Sequence, residues 1–183
     1  MSLLARYSTE QRAVLLNSAA AVAVCVAVLA AGYAWLPPKT FALVPAMEAG
    51  ERIAFALKVD VLVFLWLAGC LRAVSAGRFH SAADIRGSAY APPSPAIAVR
   101  AAVLQNSLEQ TVLAVGAHLA LAAVLRGDEL VLIPLVVLLY LAGRVSFAAR
   151  YAQGAGRRAF GMALTGVSTI AAYIIAIAMM LAR

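Results

Sequence analysis

The sequence contains few charged residues and few cysteines, and several common site motifs are missing from it. Charged residues make up 13% of the 183 residues. Cys25 and Cys70 lie within apolar runs and form no Cys-x-x-Cys pair, so we interpret them as small buried hydrophobes. His80 and His118 are far apart and no metal-ligand spacing is present, so no metal site is expected. The glycine-rich turn at 154–156 has neither a preceding strand nor a Walker lysine, which gives nucleotide binding no support.

Apolar residues are abundant instead. They account for 64% of the chain, and the mean hydropathy is +0.92, whereas an ordinary soluble domain is about 45 to 50% apolar. No run alternates with a period of two, which favours membrane helices over an outer-membrane barrel. The sequence therefore predicts an all-α integral membrane protein, with spans near residues 12–36, 53–76, 96–125, 130–153 and 158–181.

The first run is interpreted as a retained helix rather than a signal peptide, because residues 13–38 carry no charge and exceed the usual apolar length of a signal sequence. Pro37 and Pro38 are expected to end it. Residues 39–52 are predicted to be an external connector. We divide the chain into an additional N-terminal membrane helix with its connector (1–45) and a four-helix bundle (46–183).

The net charge of +7 is distributed as in a membrane protein rather than a nucleic-acid-binding one. If all five runs span, the N-terminus and the loops near 77–95 and 150–158 share one side. That side carries most of the arginines: Arg6, Arg12, Arg72, Arg78, Arg86, Arg100, Arg144, Arg150, Arg157 and Arg158. We expect it to be cytoplasmic, with the C-terminus outside and the protein in the cytoplasmic (inner) membrane.

The third run contains an acid at a depth where charge is costly. Glu109 lies three residues after Asn106, so the two are expected to share a helix face. A carboxylate at bilayer depth costs about 2.5 to 3.5 kcal/mol on insertion scales and usually marks a site or a helix contact. Arg144 of the fourth run is its predicted ion-pair partner, with a purely structural role for the pair left open.

The fourth and fifth runs supply further candidates. Arg144, Phe147, Tyr151 and Gly154 follow helical spacing and are expected to form one stripe. Arg158 comes where the last helix begins, and a helix N-terminus with a guanidinium group suits a carboxylate or a thiolate.

These spacings resemble those of the MAPEG family, the membrane-associated proteins in eicosanoid and glutathione metabolism. The resemblance is carried by Asn106-x-x-Glu109, followed by Arg144-x6-Tyr151-x2-Gly154-x3-Arg158. It covers roughly residues 53–180 and leaves the first helix as an addition. It implies a four-helix bundle that forms a homotrimer and holds glutathione, as cosubstrate, between subunits on the cytoplasmic side.

The resemblance also implies roles for these residues. Asn106 and Glu109 would bind glutathione or hold the helices around it, Arg144 and Tyr151 would form the pocket wall, and Arg158 would stabilise the thiolate. Arg72 and Arg100 are further candidate cations for the glutathione carboxylates. The second substrate would be a lipophilic electrophile or hydroperoxide that enters from the bilayer.

Two departures from the family pattern leave a noncatalytic role open. Ala102 stands where many members have an arginine seven residues before the glutamate, and Phe147 where some enzymes have a tyrosine. The function is therefore predicted to be a glutathione-dependent transferase or peroxidase, or alternatively an accessory or scaffold subunit of a larger membrane complex. A small transporter is disfavoured, because no repeated half is visible.

Overall fold

The structure, a computed structural model, describes residues 7–36 and 47–182. In these residues the chain forms five long helices: α1 (Thr9–Trp35), α2 (Ala49–Phe79), α3 (Pro95–Val124), α4 (Leu132–Arg150) and α5 (Ala155–Ala182). Five helical segments, in the same order, are long and apolar enough to cross a membrane. The predicted all-α membrane fold, with one helix preceding a four-helix bundle, is confirmed.

Local sequence sets most of the helix ends. The Ser8 hydroxyl accepts the Gln11 backbone N–H (3.2 Å) and begins α1. Pro95 occupies the first position of α3, where its missing N–H has no helical partner to lose. The carboxylate of Glu51 accepts the Glu48 backbone N–H (2.9 Å), which starts α2 at Ala49, earlier than the predicted 53. Pro37, Pro38 and most of the predicted connector lie outside the described residues.

Helix α4 is the centre of the bundle and the most buried of the five spans. It contacts each of the other four helices, while α2 packs mainly on α3, and α1 packs mainly on α5. Two short 3₁₀ segments, Gly127–Val131 and Tyr151–Gln153, flank α4. The division of the chain at residue 45 stays a prediction.

Two glycines allow α4 and α5 to approach closely. A Cβ atom on Gly143 would lie 2.9 Å from the Gly161 carbonyl oxygen, and one on Gly161 would overlap the backbone of Phe147. Small residues at such a crossing let membrane helices pack backbone to backbone. The crossing brings Arg144 and Phe147 of α4 against the first half of α5.

One face of α3 carries buried polar side chains. Ser107, Thr111 and His118 follow helical spacing and are each almost fully covered. The Ser107 hydroxyl accepts the Trp66 indole N–H (3.1 Å), and the hydroxyls of Thr111 and Tyr140 lie 2.7 Å apart. These contacts tie α3 to α2 and α4, as interhelical hydrogen bonds do in membrane bundles.

Candidate functional site

Arg144 is completely buried and its guanidinium joins three helices. Its Nη1 donates to Asn106 Oδ1 of α3 (2.7 Å), and its Nε donates to Thr165 Oγ1 of α5 (3.1 Å). Its Nη2 contacts Met162 Sδ (3.8 Å), and its Cζ lies 4.5 Å from the centroid of the Phe147 ring. An arginine inside a membrane needs such partners, because water does not reach it to compensate the lost hydration. Arg144 is thereby held in one position at the α3, α4 and α5 contact.

The predicted ion pair between Glu109 and Arg144 does not form within the described residues of the chain. Glu109 is exposed on α3 and accepts a hydrogen bond from Gln105 Nε2 (3.0 Å), while Arg144 donates to Asn106 instead. The reason is helical phase: residues three apart are rotated by about 60° from each other. With Asn106 directed at Arg144, Glu109 is turned to the outside of the bundle.

A cavity of about 340 Å³ opens beside this contact. Asn106, Phe147 and Met162 line it from the Arg144 side, and Tyr151 and Arg158 line it from the chain reversal between α4 and α5. The structure therefore places Asn106, Tyr151 and Arg158 around one cavity, with Arg144 directly behind its wall.

Two aromatic rings in contact lie between two arginine side chains at this wall. The Arg158 Cζ lies 4.5 Å from the centroid of the Tyr151 ring, and Tyr151 meets Phe147 edge to face with centroids 5.2 Å apart. The Arg144 guanidinium in turn lies over the Phe147 ring. Gly154 makes the reversal possible, because its φ of 100° is in a region that residues with a Cβ rarely adopt. The stack fixes the Arg158 guanidinium against a ring face at the cavity.

The other candidate cations lie elsewhere in the chain. Arg100 borders a separate apolar groove of about 360 Å³ with Trp66 and Cys70, and its Nη1 donates to the Ala73 carbonyl (3.1 Å). Arg72 is exposed on α2. Neither side chain lines the cavity beside Arg158. A role for Arg72, Arg100 or Glu109 in substrate binding stays a prediction.

Sequence reasoning missed Asp60, an acid that is buried within α2. Its Oδ1 lies 2.6 Å from His118 Nδ1, and the two side chains are 0% and 1% exposed. Asp60 lies within the apolar run of α2, and His118 lies within that of α3. The available signal was an acid at mid-run in one helix and a histidine at mid-run in the next. The second oxygen of Asp60 has no hydrogen-bond partner among the described residues.

The profile of the MAPEG family matches residues 53–178. This region takes in α3 and α4 whole and most of α2 and α5, together with every residue of the cavity wall except Val14; α1 precedes it. No curated protein and no solved structure matches the chain. Since the match spans well over half of the sequence, the chain belongs to the MAPEG family.

Proposed function

We propose that the protein is a membrane-bound, glutathione-dependent transferase or peroxidase that acts on lipophilic electrophiles. The observation that carries this proposal is Arg158, which is stacked on Tyr151 at a largely apolar cavity in a member of the MAPEG family. A fixed guanidinium at such a cavity favours a thiolate over a thiol, because a nearby cation lowers a thiol pKa.

The residues of one subunit fit part of glutathione, which has two carboxylates, an ammonium group and a thiol. Arg158 offers a cation and Asn106 an amide at the cavity, whereas Arg72, Arg100 and Glu109 face the exterior. We therefore propose a homotrimer in which neighbouring subunits contribute these exterior groups, so that each site lies between two subunits. An exposed carboxylate on a membrane helix is accounted for by such an interface, since lipid offers it no partner.

Each residue then has a defined task. Bound glutathione would supply the thiolate, which displaces a leaving group from the electrophile as the carbon–sulfur bond forms and the leaving group departs with its electron pair. Arg158 holds negative charge at the sulfur before the attack. Tyr151 fixes the Arg158 guanidinium, and Arg144 fixes Asn106. The apolar remainder of the wall admits the second substrate and keeps water out.

The proposed location is the cytoplasmic (inner) membrane, with the N-terminus in the cytoplasm and the C-terminus outside. The support is the distribution of arginines, which gather in the N-terminal segment and in the reversals after α2 and α4. This orientation puts Arg158 and the cavity in the cytoplasmic half of the bundle.

Thiolate absorbance in the ultraviolet tests the proposal directly. The purified protein is expected to raise the thiolate absorbance of glutathione at neutral pH, and Arg158→Gln is expected to abolish the increase. The matched control is Arg157→Gln, because Arg157 is exposed, adjacent in sequence and absent from the cavity wall. Absence of glutathione binding by the unaltered protein at millimolar concentration would refute the proposal, as would an equal loss in both variants.

A noncatalytic subunit of a larger membrane complex is the second candidate. It is favoured by the cavity wall itself: the Asn106 carboxamide oxygen is already bound by Arg144, and Phe147 presents no hydroxyl. This function predicts stable co-purification with other membrane proteins in mild detergent. A lone homotrimer that turns over glutathione would exclude it.

A further inference from the structure

Helix α1 is fixed tightly to the start of α5, next to the cavity. The Glu10 Oε1 accepts the backbone N–H of Ala155 (3.0 Å), the first residue of α5, and Asn17 Nδ2 donates to the Gly156 carbonyl (3.1 Å). A Cβ on Gly156 would lie 2.9 Å from the Cβ of Ala13. Two hydrogen bonds and the close approach of Gly156 to Ala13 thus hold this part of α1 in one register against α5.

Val14 lies on the same face of α1 as Glu10 and Asn17. It lies four residues after Glu10 and three before Asn17, so all three side chains are directed to the same neighbour. Val14 is half-buried and lines the cavity together with Phe147 and Met162. One residue of the cavity lining therefore comes from a helix that lies outside the region matched by the family profile.

The charged groups near the cavity lie at the N-terminus of α5 and at Arg158, and not on the side that Val14 lines. The Glu10 carboxylate already occupies the N-terminus of α5, where an anionic group of a ligand would otherwise bind. Arg158 is left as the cation of the cavity wall, and the side formed by Val14, Ala159 and Met162 is apolar. An uncharged, apolar group suits that side and a negatively charged group does not.

We propose that α1 is the specificity element of this site, and that Val14 limits the size of the uncharged apolar substrate beside Arg158. The inference rests on the proposed function for the identity of the reaction, but the wall itself is independent of it. Because Glu10 and Asn17 hold this part of α1 against α5, Val14 cannot move away from the cavity with its helix, so longer or bulkier apolar groups are excluded.

Two substitutions change the wall in opposite directions. Val14→Trp fills the cavity and Val14→Ala widens it. If Val14→Trp does not fold, Val14→Ala still tests the inference. Leu16→Trp is the matched control, because Leu16 is on the same turn, is 64% exposed and does not line the cavity. Rates of glutathione conjugation are measured with iodoalkanes of increasing chain length. We expect Val14→Trp to reduce the rate with the longer chains by roughly tenfold or more, Val14→Ala to extend the accepted length, and Leu16→Trp to change neither.

A second readout does not require activity. Protein without glutathione is photolabelled with an uncharged, diazirine-bearing alkane, and adducts on Phe147 and Met162 are quantified by mass spectrometry. Labelling is expected to fall several-fold in Val14→Trp and to persist in Leu16→Trp. If no variant conjugates glutathione but labelling responds in this way, the proposed function fails and the wall stands. If conjugation is normal while chain-length preference and labelling are the same in Val14→Trp and Leu16→Trp, the inference is overturned and the proposed function stands.

Discussion

Two of the polar contacts that attach α3 to its neighbours, at Asn106 and at His118, lie about 18 Å apart along the helix. Asp60 and His118 join α2 to α3, and neither lines the cavity beside Arg158. Arg144 joins α4 to Asn106 and Thr165, and its partners Asn106, Phe147 and Met162 do line that cavity. The first contact is suited to holding helices together. The second holds the helices and also fixes one wall of the proposed binding site.

The largest effect is expected from breaking the first contact. Asp60→Ala leaves His118 buried without its partner, and removing one member of a buried pair costs about 3 kcal/mol or more. We expect that loss in the free energy of unfolding, measured in mixed micelles, with thiolate absorbance unchanged per folded protein. The double variant Asp60→Leu with His118→Leu should recover much of the loss, because it removes both polar groups. A double variant as unstable as Asp60→Ala would contradict a simple pairing role.

Breaking the second contact should have a smaller effect on stability and a larger one on the site. Asn106→Ala leaves one donor of Arg144 without a partner, which costs about 1 to 3 kcal/mol of unfolding free energy. It should also weaken glutathione binding, measured by thiolate absorbance, because Asn106 lines the cavity. Unchanged glutathione binding in a folded Asn106→Ala protein would show that the two contacts do not differ in function.

Glu109 provides a polar group on the same helix that belongs to neither contact. Because it is exposed, Glu109→Gln should change the unfolding free energy of the single chain by no more than about 0.5 kcal/mol. If the carboxylate of Glu109 binds glutathione at the site of a neighbouring subunit, the glutathione concentration needed for half-saturation should rise in the same variant. Gln105→Ala, which removes the hydrogen-bond partner of Glu109 within the helix, is the control. A large loss of subunit stability in Glu109→Gln would contradict the exposed position.

The smallest effect is expected outside the membrane, in the loop between α2 and α3. The Asp84 carboxylate accepts the Ser81 hydroxyl (2.5 Å) and the Ser94 backbone N–H (2.8 Å), and these bonds hold its pKa below the ordinary value of 3.8. A carboxylate with a lowered folded-state pKa stabilises the fold above its unfolded pKa and loses that contribution as pH falls through the folded value. Asp84→Asn should therefore lower the unfolding temperature slightly at neutral pH and not at all in strong acid. A difference in unfolding temperature between Asp84→Asn and the unaltered protein that becomes larger in acid would contradict this role.

The fold followed from the sequence more completely than the site did. Long, mostly apolar runs leave few alternatives in a bilayer, and the ends at Ser8, Pro95 and Gly154 have local causes. The pairing of Asp60 with His118 joins residues 58 positions apart and depends on which faces of α2 and α3 meet. Spacing within one run does not contain that information.

The same limit explains the error at Glu109. Asn106 and Glu109 share a broad face, but only the exact rotation of α3 against α4 decides which of them meets Arg144. The juxtaposition of Tyr151 with Arg158 followed from the family resemblance rather than from physical reasoning on the residues. The role of α1 in the cavity wall could not be predicted by either route, because it depends on where an additional helix packs.

A structure determined in lipid with glutathione present would decide whether glutathione binds at the proposed site. We expect glutathione at the cavity of Arg158, Tyr151 and Asn106, with its sulfur on the Arg158 side and groups from a neighbouring subunit completing the site. Glutathione bound away from Arg158, or a cleft closed or filled by lipid under saturating glutathione, would contradict it.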